Sequence, residues 1–188
     1  KVPKRLPTYL RHEEAEAVMR QVSEELRPLF AVAFYTGLRK GEILGLRRDD
    51  VDLDTGTLAV RRSYDHETTK GSHADLIPIA NGLRPFFIAA LARARGEWLF
   101  PHPDGRCYRD GEFDLLGILR TALGNAGIVT GYVHKCRSTK CGHHVEAADK
   151  ELRRCEKCSH RMWVKALPKK VRFHDTRHTT ATLLLKSR

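Results

Sequence analysis

The sequence predicts an α+β domain, mainly helical, with a small antiparallel sheet and an inserted cysteine-rich ribbon. Three observations carry that expectation. Apolar residues recur at helical spacing over most of the first 126 positions. Between Val51 and Ile79 the period shortens to two, as in a half-buried sheet. Four of the five cysteines fall within residues 131–170, where the composition also shifts. At 188 residues the chain is about one domain long. With 41% apolar and 30% charged residues it is an ordinary globular mix, which excludes wholesale disorder. No apolar run approaches the roughly 18 residues of a membrane span, so no membrane partner is expected.

The elements follow in order. Lys1-Val2-Pro3-Lys4-Arg5-Leu6-Pro7 lacks an apolar signal region, so residues 1–10 read as an interdomain linker and residues 11–188 as the domain. Glu13 to Leu29 has Ala17, Val18, Val22 and Leu26 on one side and predicts a helix. Leu29 to Tyr35 is apolar all round and predicts a second, buried helix. Gly37 suits the left-handed residue that ends it. A third helix is expected from Arg39 to Leu46. Asp54-Thr55-Gly56 is a turn, Thr57 to Arg61 alternates as a strand, and Leu76-Ile77-Pro78-Ile79 pairs with it at an edge, where Pro is tolerated. Asp65 to His73 is the polar hairpin loop between them. Helices are expected at 82–95 and 111–126, joined by the loop Pro101–Arg109, and a last helix opens at Asp175 or Thr176 and runs through Leu185.

The net charge of +11 suggests a polyanionic partner, usually nucleic acid. It is unevenly spread. Residues 1–130 carry 19 basic and 18 acidic side chains, whereas residues 131–170 carry 11 and 4. That short segment also holds Cys136, Cys141, Cys155 and Cys158, as C-x4-C and C-x2-C pairs separated by 13 residues. Without a signal peptide, disulfides are not expected. Two close pairs can instead wrap a tetrahedral ion, so the spacing predicts a structural zinc ribbon with no open coordination position. His134, His143, His144 and His160 crowd the same stretch, and any of them can stand in for a cysteine. Four thiolates and one Zn²⁺ would trim the segment's excess from +7 to about +5. Cys107 lies far off and reads as a lone thiol.

Three clusters have the residue types that act on a phosphate. In Thr36-Gly37-Leu38-Arg39-Lys40-Gly41-Glu42, a carboxylate one helical turn beyond Arg39 can hold the guanidinium while its fork faces an anion. Taken alone, this is equally a surface ion pair, and helix–glycine–helix here also suits a helix-turn-helix DNA reader. Lys70 sits on the hairpin loop, where a lysine can swing in as an acid or simply be solvated. His174, Arg177 and His178 are spaced i, i+3, i+4 and share one face at a helix start, where the dipole and free N–H groups favour anions. His178 also suits a buried structural histidine.

Together the three clusters resemble the catalytic domain of tyrosine recombinases, the phage integrase family. The family's first arginine box is similar to Thr36–Glu42. Its hairpin lysine precedes an Ile-Pro, as Lys70 precedes Ile77-Pro78, and its His-x-x-Arg-His box is similar to His174–His178. The resemblance spans roughly residues 8–130 and 171–186, with the cysteine segment inserted just before the histidine box. It implies an integrase-type fold and a site-specific recombinase that cuts and rejoins DNA through a 3′-phosphotyrosyl intermediate, without catalytic metal or nucleotide. Arg39 and Arg177 would clamp the phosphate, Lys70 would protonate the leaving 5′-oxygen, and His174 would act as base. Glu42 and His178 would support them. The implied partners are double-stranded DNA and other recombinase protomers in a synaptic complex, in a bacterial or phage-encoded, cytoplasmic protein.

The family's tyrosine follows the histidine box, whereas Tyr9, Tyr35, Tyr64, Tyr108 and Tyr132 all precede His174. The resemblance therefore implies a catalytic domain cut before its nucleophile, able to bind the scissile phosphate but not to cleave. Two other classes compete with it. One is a non-catalytic DNA-binding protein using the 29–46 helices and the zinc segment. The other is an interaction module whose ribbon docks a partner subunit.

Overall fold

The computed structural model describes residues 8–64, 75–109 and 111–186. Helix α1 (His12–Gln21) starts with Glu13 and Glu14 in its first turn, and the Arg11 N–H donates to Glu14 Oε2 at 2.8 Å. A carboxylate there satisfies an orphan donor and complements the dipole. The helix stops well short of Leu29 because Val22 is extended. Pro28 then occupies the first turn of α2 (Arg27–Thr36), where its missing N–H costs nothing. The single long apolar run is thus two helices separated by a turn.

Helix α2 is the axis of the domain, with Leu29, Phe30, Ala31, Val32, Ala33 and Phe34 all buried. Gly37 caps it at φ 65°, its N–H donating to the Ala33 carbonyl at 3.1 Å. The short helix α3 (Lys40–Leu44) and a 3-10 turn (Arg48–Asp50) follow. Strands β1 (Val51–Asp52), β2 (Thr57–Val60) and β3 (Asp75–Pro78) form an antiparallel sheet in that order. Leu58 pairs with Ile77, and Pro78 lies on the edge strand opposite Thr57. The residues between the sheet's second and third strands, 65–74, lie outside the described residues. Helices α4 (Arg84–Arg93) and α5 (Leu115–Asn125) complete the first part, shorter than expected at both starts. Pro85 opens α4, and the Asp114 carboxylate caps α5 by accepting from the Gly117 N–H at 2.8 Å.

A second antiparallel sheet, not expected as strands, occupies the cysteine segment. Strands β4 (Val129–Cys136), β5 (His144–Ala147) and β6 (Met162–Pro168) are ordered β5-β4-β6. At its base the Lys169 N–H donates to the Ile128 carbonyl at 2.9 Å, so the chain leaves and returns at one point. Helix α6 (Asp175–Lys186) then packs against α2. Thr180 makes that contact close, its hydroxyl donating to the Phe34 carbonyl at 2.8 Å, while Thr179 Oγ1 accepts from the N–H of Leu10, ahead of α1, at 3.0 Å.

The main core gathers residues from α1 to α5, the first sheet and the segment before α6, with Phe30 meeting Phe173 edge-on at 5.6 Å. The cysteine segment has a separate core consisting of Cys136, Cys155 and Met162, with Cys141 and Cys158 against it. One methionine and four thiols bury too little apolar area to offset chain entropy over forty residues.

Candidate active site and metal centre

Arg39 stands at the start of α3 because Glu42 holds it there twice. Its backbone N–H donates to Glu42 Oε2 at 2.8 Å, and its Nη1 donates to Oε1 at 2.7 Å. The carboxylate is 8% exposed and the guanidinium 44% exposed. The anion is thus buried and fixes orientation, while the cation faces outward.

Arg177 reaches the turn that precedes Arg39 from a distant part of the sequence. Its Nη1 donates to the Gly37 carbonyl at 3.1 Å, across 140 residues of sequence. This contact depends on a close approach of α6 to the α2–α3 turn. A Cβ built on Gly37 would lie 3.3 Å from Thr180 Cβ and 3.6 Å from Arg177 Cα. Gly37 therefore serves twice, as a left-handed cap and as a bare surface for α6. Gly37→Ala is expected to destabilise the fold by about 1–2 kcal/mol through the positive φ alone. Thermal melting of the variant should show a drop of several degrees.

His174 is exposed and His178 is half-buried, with ring centroids 6.0 Å apart. The expectation of a buried structural His178 therefore holds only halfway. Asp175 between them is 3% exposed and accepts from the Arg172 N–H at 2.8 Å, the same capping arrangement that Glu42 gives Arg39. Lys70 lies outside the described residues. Residues 61–64, which follow β2, run beside α3, because the Tyr64 N–H donates to the Gly41 carbonyl at 2.9 Å. A Cβ on Gly45 would stand 2.8 Å from the Ser63 carbonyl carbon, so a side chain there would push this stretch away. Sequence reasoning had no role for Asp175 beyond opening a helix, nor for Gly45. The i, i+3 spacing of Asp175 after Arg172 was the available signal for the first.

The four cysteines converge. Cys136, Cys141, Cys155 and Cys158 have Sγ atoms all within 4.8 Å of one another, with Cys136–Cys158 at 3.3 Å and Cys141–Cys155 at 3.7 Å. A tetrahedron with Zn–S bonds of about 2.3 Å has edges of about 3.8 Å, so the set fits that ion's geometry. None of the four is in a disulfide. The two pairs are built alike despite their different spacing. Cys136 N–H donates to His143 carbonyl, and Cys155 N–H to His160 carbonyl, each at 2.8 Å. The residue after each second cysteine is left-handed: Gly142 at φ 62° and Ser159 at φ 58°. Burial opposes ionisation of Cys155, yet N–H groups of Lys157 and Cys158 and the neighbouring thiols bring its pKa down to about 7. The other three thiols, Cys136, Cys141 and Cys158, are pushed the other way, up, so only one of the four is set apart as a thiolate. No histidine joins the group among the described residues. His134 instead lies buried with Nε2 3.0 Å from the Asp149 carbonyl, and His144 and His160 face carbonyls of their own turns.

Comparison with known proteins yields a match of residues 8–151 to the model of the phage integrase family. An integrase/recombinase of Escherichia coli is 36% identical over 104 residues, covering 55% of this chain and 29% of that protein. The XerA recombinase crystal structure superposes with a TM-score of 0.63 at 20% identity, covering 97% of this chain and 52% of that one. The Tn1549 transposon integrase in complex with a circular intermediate DNA gives a TM-score of 0.65 at 16% identity, covering 98% of this chain and 55% of that one. The chain thus spans about a third of the curated relative and about half of the solved ones. These likenesses at low identity establish the expected helical fold with small antiparallel sheets.

Proposed function

The chain belongs to the phage integrase family, and from that premise we propose that it is the catalytic domain of a tyrosine-type site-specific DNA recombinase. The observation that supports this most is the hydrogen bond from Arg177 to the Gly37 carbonyl, which joins the two arginine segments across the domain. Two guanidinium groups at one phosphate neutralise its non-bridging oxygens and stabilise the added charge of the pentavalent transition state. Glu42 fixes the first, and the α2–α6 contact fixes the second. In this reading Lys70 protonates the leaving 5′-oxygen, and His174, exposed at the start of α6, takes the proton of the nucleophile. His178 supports it from the next turn. The nucleophile in this reading is a tyrosine. The partners are double-stranded DNA and further protomers.

Zinc is the proposed occupant of the four-cysteine centre, where it would cross-link the two knuckles and take no part in chemistry. No helix among the described residues is long and apolar enough to cross a membrane, and free thiols suit the reducing cytoplasm proposed for the protein. The helix-turn-helix alternative lacks support, since α3 has five residues and offers little length for reading a groove.

The test uses the protein as its gene encodes it and nicked duplexes tiled across the DNA that flanks the gene. A covalent adduct that survives detergent is expected, with protein on the 3′-phosphate and a free 5′-hydroxyl. It should form without added divalent metal. No adduct on any duplex, or metal-dependent cleavage leaving a 5′-phosphate, would overturn the reading.

A further inference from the structure

The second sheet has two unlike faces. Pairing of Lys135 with Trp163 and His144, and of Val133 with Lys165 and Glu146, sets these residues on one face, because directly opposed residues in an antiparallel pair point the same way. The other face carries His134, Cys136, Met162 and Val164, all buried or half-buried. Near this second face β6 meets α5, with the position of a Gly124 Cβ 3.7 Å from Ala166 Cβ. The first face is left to solvent: Lys135, Lys165 and Glu146 are exposed, and Trp163 is 59% exposed.

An exposed tryptophan is unusual unless something covers it, and here it organises a cation. The Arg137 guanidinium lies 3.7 Å from the centre of the Trp163 ring. Stacking of this kind holds the planar fork in place, so less freedom is lost when its N–H groups meet an anion. Among the described residues neither Lys135, Arg137 nor Lys165 has a carboxylate partner. Three cations and an aromatic thus share a surface with one acidic residue, Glu146. The surface belongs to the segment that carries most of the chain's excess charge, about +5 even after a metal is bound.

We propose that this outer face of the β4–β5–β6 sheet is a second DNA contact, in which Lys135, Arg137 and Lys165 bind the phosphate backbone of the duplex outside the catalytic phosphate. The contact is sequence-independent, because it offers cations and a ring rather than side chains matched to base edges. It deepens the recombinase reading and rests on it for the nature of the substrate. The ribbon's role is then to extend the grip on DNA beyond the cleavage point, and metal binding acts by holding the face in shape.

The experiment measures binding of the zinc-loaded chain to a 30-base-pair duplex of arbitrary sequence by fluorescence anisotropy between about 50 and 200 mM salt. Replacing Lys135, Arg137 and Lys165 together by Gln should reduce the slope of log K against log salt by about one for each phosphate no longer neutralised, and so by up to about three. Metal content of the variant reports whether the ribbon is intact. Glu146→Lys tests the same face by addition: it should steepen the slope by about one, and it removes no cation that could be needed for folding. Unchanged slopes in both variants with an intact metal centre would overturn the proposal and leave the face to an acidic protein surface. A wild-type chain that binds no duplex would overturn it as well. The recombinase reading fails separately, by absence of the covalent adduct described above.

Discussion

Arg177→Ala in the gene-encoded protein is expected to slow covalent trapping of DNA by about 10²–10³-fold, the usual loss when one preorganised donor to a transition-state oxygen is removed. The measurement is single-turnover adduct formation at saturating protein, with duplex affinity measured in parallel. Affinity should change far less than rate, since one phosphate contact contributes little to binding of a whole duplex but acts where charge develops. Arg177→Lys separates charge from geometry. A lysine keeps the cation but loses the planar fork that spans both the Gly37 carbonyl and an anion, so it should restore only part of the rate. Arg39→Ala should fall in the same range. The double variant should be less than multiplicatively slower if, as proposed, the two side chains act on one phosphate. Trapping within threefold of wild type for either single variant would remove that residue from the site.

The second large effect concerns the metal. Protein purified without added metal should contain about one zinc per chain by elemental analysis, and Cys155→Ser should contain much less. Apparent zinc binding of about 10–16 kcal/mol is folding energy for a segment whose apolar core is so small. That core is Met162 and the four thiols. Stripping the ion should therefore raise hydrogen exchange throughout β4, β5 and β6 while α2, α4 and α5 keep their protection, because those helices rest on a separate apolar cluster. Metal-free protein with unchanged exchange in 129–168 would rule out the zinc centre.

Local signals in the sequence carried a good share of this structure. The apolar run from Leu29, the Gly37 cap, the alternation at Thr57–Val60 and the paired cysteines each describe their own neighbourhood, and each is realised there. The Glu42–Arg39 pairing was legible for the same reason, since i, i+3 spacing on a helix is a local fact. Two local readings failed. The run from Glu13 to Leu29 keeps helical spacing across a turn, because Val22 and Leu26 remain buried or half-buried whether or not the backbone is helical between them. The strands of the second sheet were missed because their inward residues are His134, Cys136 and Met162, which do not register as an apolar alternation. What no local pattern could show is the meeting of Arg177 with Gly37. That contact depends on how closely α6 can approach α2, which is decided by Thr180 and by the hydrogen atom that Gly37 has in place of a side chain.

The hydrogen bond between Ile128 and Lys169 bears on how the second sheet is tethered. It gathers the forty residues between them onto a stem only two strands wide. Loop closure is already settled at the junction, so the length of what hangs from it costs the host almost no entropy. Lys169 is also pinned by its own ion pair with Glu14 at 2.9 Å, which ties the segment's return point to α1. The rest of the stem's hold on the domain is the packing of β6 on α5 at Gly124 and Ala166, so its mooring consists of two helices and one backbone hydrogen bond.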